Sequence, residues 1–547
     1  MKCSLSLIGL TGLTGMLALV LGSCSPSETT PNEAQSPAHP EQALVEELVL
    51  ANRMLASGEL AVLDAFGHVS VRSRTNPDHF YISRYVSPGI VAMGDIIEND
   101  LDSKPVAGPR SDEYQEVYIH GEIYKARPDV MAVMHSHTPE LVAFSVSSVP
   151  LRTGDTPVPI WDSRKFNNGR SSGVNNPASG KAVAETLGSN GAVLLLGHGV
   201  VVASGSIYNL VSSANGLRST ARLHQTMIAM GGSWDPNPRR ATVQAATPPP
   251  APTPAEPAPS GTGGGRGGDR AWEYWKQLVL RETGGSVPAT TPPGPAAPAS
   301  PGDAIKQDLA LASRMLASPE LGILDAFGHV SVRNPNDPSH YFIPRYVSAG
   351  VVTAADIIEN DLDSKAVGAP RNDQFQEIYM HGEIYKARPD VMAVLHAHTP
   401  EIVAFTQSSV KLRPVMNGGT FIGDGLPMFD IRKFDPRETI ITSPALGRGV
   451  AEVMGSKPAV LLTGHGVALT DISLYALISR AYNLRMNAKI QQQAIALRGQ
   501  ISYLDGQPAA QTGPVVQQAP LVPTGDGGGP TGSDRAWEYW KRIISLK

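Results

Sequence analysis

One stretch of this chain is written twice. QEVYIHGEIYKARPDVMAVMHSH at 115–137 returns as QEIYMHGEIYKARPDVMAVLHAH at 376–398. Glu116, His120, His135 and His137 recur as Glu377, His381, His396 and His398, each 261 positions later (377 − 116 = 261). A further histidine between two glycines, His198, recurs as His465, 267 positions later (465 − 198 = 267). A histidine cluster met once is weak evidence. Met twice with its spacing kept, it requires two copies of one module, each built around the same side chains.

At 547 residues the chain exceeds one ordinary domain. A hydrophobic fraction of 41% and a charged fraction of 17% suit globular modules diluted by linkers. The net charge of −5 carries no basic stripe, which argues against nucleic acid as a partner. Lys2 followed by the apolar run Leu5–Leu21 reads as an export signal, too short and too broken for a membrane span. It ends in Leu-Gly-Ser-Cys, similar to a bacterial lipobox with Cys24 as the acylated residue; a plain signal peptide with an incidental cysteine is the alternative. The expectation is a signal over 1–24 and an exported lipoprotein, membrane-bound only by its N-terminal lipid, on the periplasmic side of a bacterial outer membrane. Cys3 would leave with the signal, so no disulfide and no cysteine-based metal site remain.

Module one is expected over 43–232 and module two over 303–507. Between them, 237–302 is rich in Pro, Ala, Thr and Gly and cannot bury enough apolar surface to order itself. A similar stretch begins the last segment, 508–547. Each linker carries the peptide DRAWEYWK, at 269–276 and 534–541, with tryptophans three apart on one face of a helical turn. These read as docking tails onto a module or a neighbouring subunit, or else as a patch touching a membrane.

Within each module the periodicity predicts helix, strands, helix, strand, helix, strand, helix. EQALVEELVLANRMLAS has apolar residues three and four apart; VMAVMHSH and AVLLLGHG are strand-like. That order predicts an α/β layered domain of about 190 residues.

His135 and His137 are two apart on a strand and so point to one face. The glycines around His198 allow close backbone approach. Glu116 and His120 are four apart on the preceding helix and are expected to share a face. Three imidazoles around a divalent cation leave positions open for water or substrate. Zinc suits three neutral imidazoles; manganese, iron or cobalt also fit the ligand types. His120 and His381 are either ligands or supporting residues behind the ligands.

E-x-x-x-H, R-P-D, H-x-H and G-H-G, taken together, resemble the class II aldolase/adducin family. The resemblance covers both modules nearly end to end. It implies two tandem three-layer α/β/α domains. It implies a metal site of His135, His137 and His198 with Glu116 as proton-transfer residue, and His396, His398 and His465 with Glu377 in module two. DAFGHVSVR matches the family's G-N-x-S-x-R loop, except that the usual asparagine is His68 in one copy and His329 in the other. That departure tells against a sugar phosphate. The segment is more similar to a branch of decarboxylases of hydroxylated aromatic or ring-cleavage acids. There Arg84 and Arg345 would meet a substrate carboxylate, or else sit in structural ion pairs.

The resemblance implies a metal-dependent carbon–carbon lyase, a decarboxylase or retro-aldolase. Its metal would chelate a hydroxy-carbonyl or hydroxylated aromatic acid and stabilise an enediolate, with His68 and His329 as further donors. A non-catalytic adducin-like assembly module and a metal-binding lipoprotein are the alternatives. The partners implied are a small molecule and a homo-oligomer, two tandem chains making a pseudo-tetramer. The copies part in the segment between H-x-H and G-H-G, six residues shorter in module one (267 − 261 = 6). Module two keeps the family-like PVMNGGTFIGDGLPMFDIR and is expected to be the better catalyst; neutral drift is the alternative.

Overall fold

The computed structural model describes residues 41–153, 156–166, 173–231 and 301–505, with the single positions Leu280 and Trp540. The export signal, Cys24 and most of both tryptophan peptides lie outside these residues. Both modules belong to one compact unit, Ala43–Lys547.

Module one contains α1 (Gln42–Ala56), β1 (His68–Arg72), β2 (His79–Ser83), β3 (Ile96–Asp100), α2 (Val117–Ala126), β4 (Ala132–Ser136) and α3 (Pro139–Val146). It continues with β5 (Arg152–Thr153), β6 (Thr156–Pro157), β7 (Ile160–Trp161), α4 (Pro177–Leu187), β8 (Ala192–Leu195), β9 (Gly199–Ser204) and α5 (Ile207–Ala229). Module two repeats the plan with α6 (Pro301–Leu316), β10 (His329–Arg333), β11 (His340–Pro344), β12 (Ile357–Asp361), α7 (Ile378–Ala387), β13 (Ala393–Ala397) and α8 (Pro400–Thr406). After these come β14 (Met428–Phe429), α9 (Pro444–Met454), β15 (Ala459–Leu462), β16 (Gly466–Asp471) and α10 (Leu474–Ala496).

Each module holds a seven-stranded sheet, in the order β3-β2-β1-β4-β9-β8-β7 and its repeat β12-β11-β10-β13-β16-β15-β14. Among the described residues, only the edge pairs β7–β8 and β14–β15 are parallel. Side-chain alternation explains the layers. Met134, Leu194, Val200 and Val202 pack beneath α1, α3 and α5. Their neighbours Val133, Val193, Leu195, Val201 and Ala203 pack beneath α2 and α4. A strand that is apolar on every residue is what a sheet covered on both faces requires. Residues such as Leu48, Met54 and Leu210 are wholly buried, each stabilising the layer by roughly 1.5–3 kcal/mol. The result is the three-layer α/β/α sandwich, twice.

α2 stops at Ala126 because Arg127 precedes a proline, which disfavours helical backbone there. It starts one residue later than the spacing argument assumed. Glu116 is the residue before the first turn (φ −94°, ψ 13°). Glu116 meets His135, while His120 meets His68 and Ser70 of the adjoining strand β1.

The modules pack directly on each other. Val142, Ala143, Val146 and Leu196 of module one form one apolar cluster with Val415, Ile490 and Ala494 of module two. The backbone joins across the same boundary: Ser148 N–H donates to Gln500 O at 2.8 Å, Ser502 N–H to Val146 O at 2.7 Å, and Asn417 N–H to Gly197 O at 2.8 Å.

Candidate metal centre

In β4 and just past its end, His135 and His137 face the α2 side of the sheet, where Glu116 stands. Their Nε2 atoms are 3.1 Å apart. Glu116 Oε2 lies 3.3 Å from His135 Nε2, and Oε1 lies 3.2 Å from His198 Nε2. Module two repeats this. His396 and His398 Nε2 are 2.9 Å apart, His398 and His465 Nε2 3.1 Å, and Glu377 Oε2 lies 3.3 Å from His396 and 3.5 Å from His465. In each module the four candidate ligand atoms lie within 4.8 Å of one another.

The hydrogen-bond partners assign the tautomers. His135 Nδ1–H donates to Val200 O at 3.1 Å, and His137 Nδ1–H donates to Asp64 at 3.2 and 3.3 Å. His396 and His398 do the same with Val467 O and Asp325. With the proton on Nδ1, each Nε2 presents a lone pair to the other at about 3 Å. Lone pairs so placed repel unless a cation lies between them. A carboxylate or carbonyl on the far ring nitrogen is the usual support of a metal-ligating histidine. The donor set therefore fits a divalent cation in both modules. Burial pushes Glu116 and Glu377 up, while His198 and His135, and His396 and His465, pull them down, and the net direction for both is well below the usual range.

The glycines flanking His198 have separate reasons. Gly197 has φ +60°, and a Cβ there would meet Leu504 and Val415 O of module two at 2.9 Å. A Cβ on Gly199 would strike Ser136 O and crowd the His135 ring. The motif thus seats a ligand at the end of a sheet strand and against the second module.

His68 lies opposite His135 in the β1–β4 register and lines the pocket. His120 does not reach the cluster. Its Nε2 meets His68 Nδ1 at 2.8 Å and its Nδ1 meets Ser70 Oγ at 2.6 Å, with Tyr124 OH 2.8 Å beyond. His329, His381, Ser331 and Tyr385 form the same buried chain. Burial pushes His120 and His381 down to about 3, so both are neutral.

Arg84 and Arg345 are ion-paired away from the pocket. Arg84 Nε donates to Asp95 at 2.8 Å, and Arg345 Nε to Asp356 at 2.8 Å. Tyr85 lines the pocket and Arg84 does not. Of the two readings of these arginines, the structural ion pair is the one observed.

The pocket over module one's cluster, a cavity of about 360 Å³, is walled by both modules. Module one supplies Phe66, His68, Tyr85 and Tyr114, and module two Met416, Asn417, Tyr482 and Asn483. The ligands of each centre come from one module, as the spacing implied, but this pocket does not. The family-like segment of module two serves module one's site. Asn487, wholly buried on α10, accepts from Val415 N–H at 2.8 Å and donates to Arg413 O at 2.8 Å. Gln491 accepts from Arg413 N–H at 2.9 Å and donates to Lys411 O at 2.8 Å. In module one the corresponding positions are Thr220 and His224 (487 − 267, 491 − 267), and its shorter segment folds back as the β5–β6 pair. Sequence reasoning missed Asp64, Asp325, Tyr482 and Asn417. The repeated D-A-F-G could have exposed the two aspartates; nothing local marks a residue that works on another module.

The chain belongs to the family described as Class II Aldolase and Adducin N-terminal domain, which it matches over residues 46–224 and 307–492. It is 31% identical over 198 residues to Decarboxylase tropJ of Talaromyces stipitatus, covering 34% of this chain and 74% of that protein. It is 27% identical over 216 residues to the 3,4-dihydroxyphthalate decarboxylase of Arthrobacter keyseri, covering 36% and 82%. L-fuculose 1-phosphate aldolase from Glaciozyma antarctica PI12, a solved structure, aligns at 19% identity and TM-score 0.35, covering 46% of this chain and 93% of that one.

Proposed function

We propose that the chain is a divalent-metal-dependent carbon–carbon lyase that decarboxylates a hydroxylated aromatic acid. The observation that carries this reading is the doubled Glu–His–His–His cluster with its lone pairs converging. A cation held there, zinc by ligand type, supplies Lewis-acid polarisation to a chelating hydroxyl or carbonyl oxygen. Decarboxylation is favoured over aldol cleavage by the decarboxylases among the relatives. Phe66, Tyr85, Tyr114 and Tyr482 suit a flat ring, and no Lys or Arg stands among the described pocket residues to meet a phosphate.

Loss of CO2 leaves an electron pair on the ring carbon, and that carbon must take up a proton. Glu116 at the cluster and His68 on the pocket wall are placed to handle it. The chain His68–His120–Ser70–Tyr124 holds the His68 ring by its Nδ1. In module two the same duties fall to Glu377 and His329.

The protein is also proposed to be an exported lipoprotein anchored through Cys24, and to pair with a second copy. Module two's Phe327 and Tyr346 are 61% and 57% exposed, while their counterparts Phe66 and Tyr85 are partly covered. A second chain would cover them.

The test combines metal analysis of the purified chain with a screen of hydroxylated aromatic acids and sugar phosphates for CO2 or aldehyde release. Two equivalents of metal, lost in the His135→Ala, His396→Ala double variant, and CO2 release from a ring acid are expected. Absence of stoichiometric metal overturns the reading.

A further inference from the structure

The two centres, alike in their ligands, differ in what stands behind them. Tyr482, on α10 of module two, places its hydroxyl 3.5 Å from Asp64 Oδ2. Asp64 is the carboxylate that holds His137 Nδ1. The Tyr482 ring lies 6.3 Å from Phe66, on the pocket wall. On its other side it packs against Trp540 of the C-terminal aromatic peptide, at 5.4 Å between centroids. Trp540 is 3% exposed and belongs to module two's core cluster.

Module two's centre has no such neighbour within the described chain. Asp325, which holds His398, has a side chain 46% exposed against 17% for Asp64. A second chain docking as module two docks on module one would bring the module-one helix α5. Its counterparts to Tyr482, Asn483 and Met486 are Asn215, Gly216 and Ser219 (each 267 lower). None of these has the reach of a tyrosine hydroxyl.

We propose that Tyr482, backed by Trp540, is a positioning residue for the module-one metal centre, so that one chain holds one closed, slowly exchanging centre and one open, rapidly exchanging centre. The C-terminal aromatic peptide thereby acts on a site in the other module. Carboxylate supports behind a ligating histidine govern metal retention by about 10- to 100-fold, and Tyr482 also limits solvent access to that support. This rests on the metal reading proposed above.

The full-length protein is loaded with Co2+ or Zn2+, and metal loss to a chromophoric chelator is followed in time. Two phases of equal amplitude are expected, separated about tenfold or more. His396→Ala should remove the fast phase and His135→Ala the slow one. Tyr482→Phe and Trp540→Ala should accelerate the slow phase alone, with Trp540→Phe restoring it. The visible spectrum of the Co2+ centre in the His396→Ala background should shift on Tyr482→Phe, which a role in folding alone would not produce. If no metal binds, the metal reading fails and this inference with it. If two metals leave in a single phase, or Tyr482→Phe leaves the slow phase unchanged, the metal reading stands and the inequality of the centres is overturned.

Discussion

Asp64 and His137 form the joint on which module one's centre turns: the carboxylate receives Nδ1–H at 3.2 Å and so aims Nε2 at its partners. Asp64 also accepts the Phe66 and Gly67 N–H groups at 3.0 Å, which shapes the turn into β1. One side chain thus sets both the turn and the ligand.

Asp64→Asn keeps the turn, because an amide oxygen still accepts those bonds, but removes the charge behind His137. Metal affinity at one of the two centres should fall by about 10- to 100-fold, read by competition titration, with little change in melting temperature. Asp325→Asn should do the same at the other centre. Equal affinities in wild type and both variants would refute the assignment of these aspartates.

Gly197→Ala meets two obstacles, the positive φ and the Leu504 and Val415 contact from module two. Gly464, at φ +69°, occupies the same place in module two, where a Cβ would meet only the Gln407 side chain. Both alanine variants should be destabilised by roughly 1–2 kcal/mol from backbone alone. Gly197→Ala should lose measurably more, seen as the larger drop in denaturation midpoint.

Asn487→Ala removes the side chain that straps residues 413–416 to α10. Three hydrogen bonds are lost, at about 0.5–1.5 kcal/mol each. A loss of about 2–4 kcal/mol in chemical denaturation is expected, together with weaker substrate binding at the module-one pocket that this segment walls.

Glu113 provides a pH signature. Burial raises its carboxyl to about 7, with Arg110 opposing and Asp112 adding. A raised folded value means that its contribution to stability is full below 4.5 and lost as the pH climbs through 7. Module two carries Gln374 at this place (113 + 261), and that amide donates to Asn360. Glu113→Gln should therefore raise the melting temperature on the order of a few °C at pH 8 and change it little at pH 4.5. An equal shift at both pH values would contradict the assignment.

His120 and His381 act in the opposite direction. Both are buried and held near 3, so their contribution is present above 6.5 and lost as pH falls from there towards 3. Replacing both by glutamine should flatten acid unfolding across that window, followed by circular dichroism.

Much of this was legible in the chain itself. The duplication, the two-residue spacing of His135 and His137, and the apolar runs of the strands encode local geometry, which repeats wherever the backbone repeats. That Val200 and Val202 pack on one face of the sheet and Val201 on the other was visible only in the fold. What escaped was non-local. Helical spacing paired Glu116 with His120, but it could not tell that Glu116 would meet His135 while His120 would meet His68 and Ser70. Arg84 was a candidate for substrate until Asp95 claimed it across a turn.

By itself, the sequence determined that two copies of one α/β module exist and that the paired histidines of each copy share one strand face, because spacing along a strand dictates direction. Only the tertiary structure decided that module two's strap and Tyr482 finish module one's pocket. Those contacts join residues more than 200 positions apart, and no periodicity of the chain records which surface a module will lay against its twin.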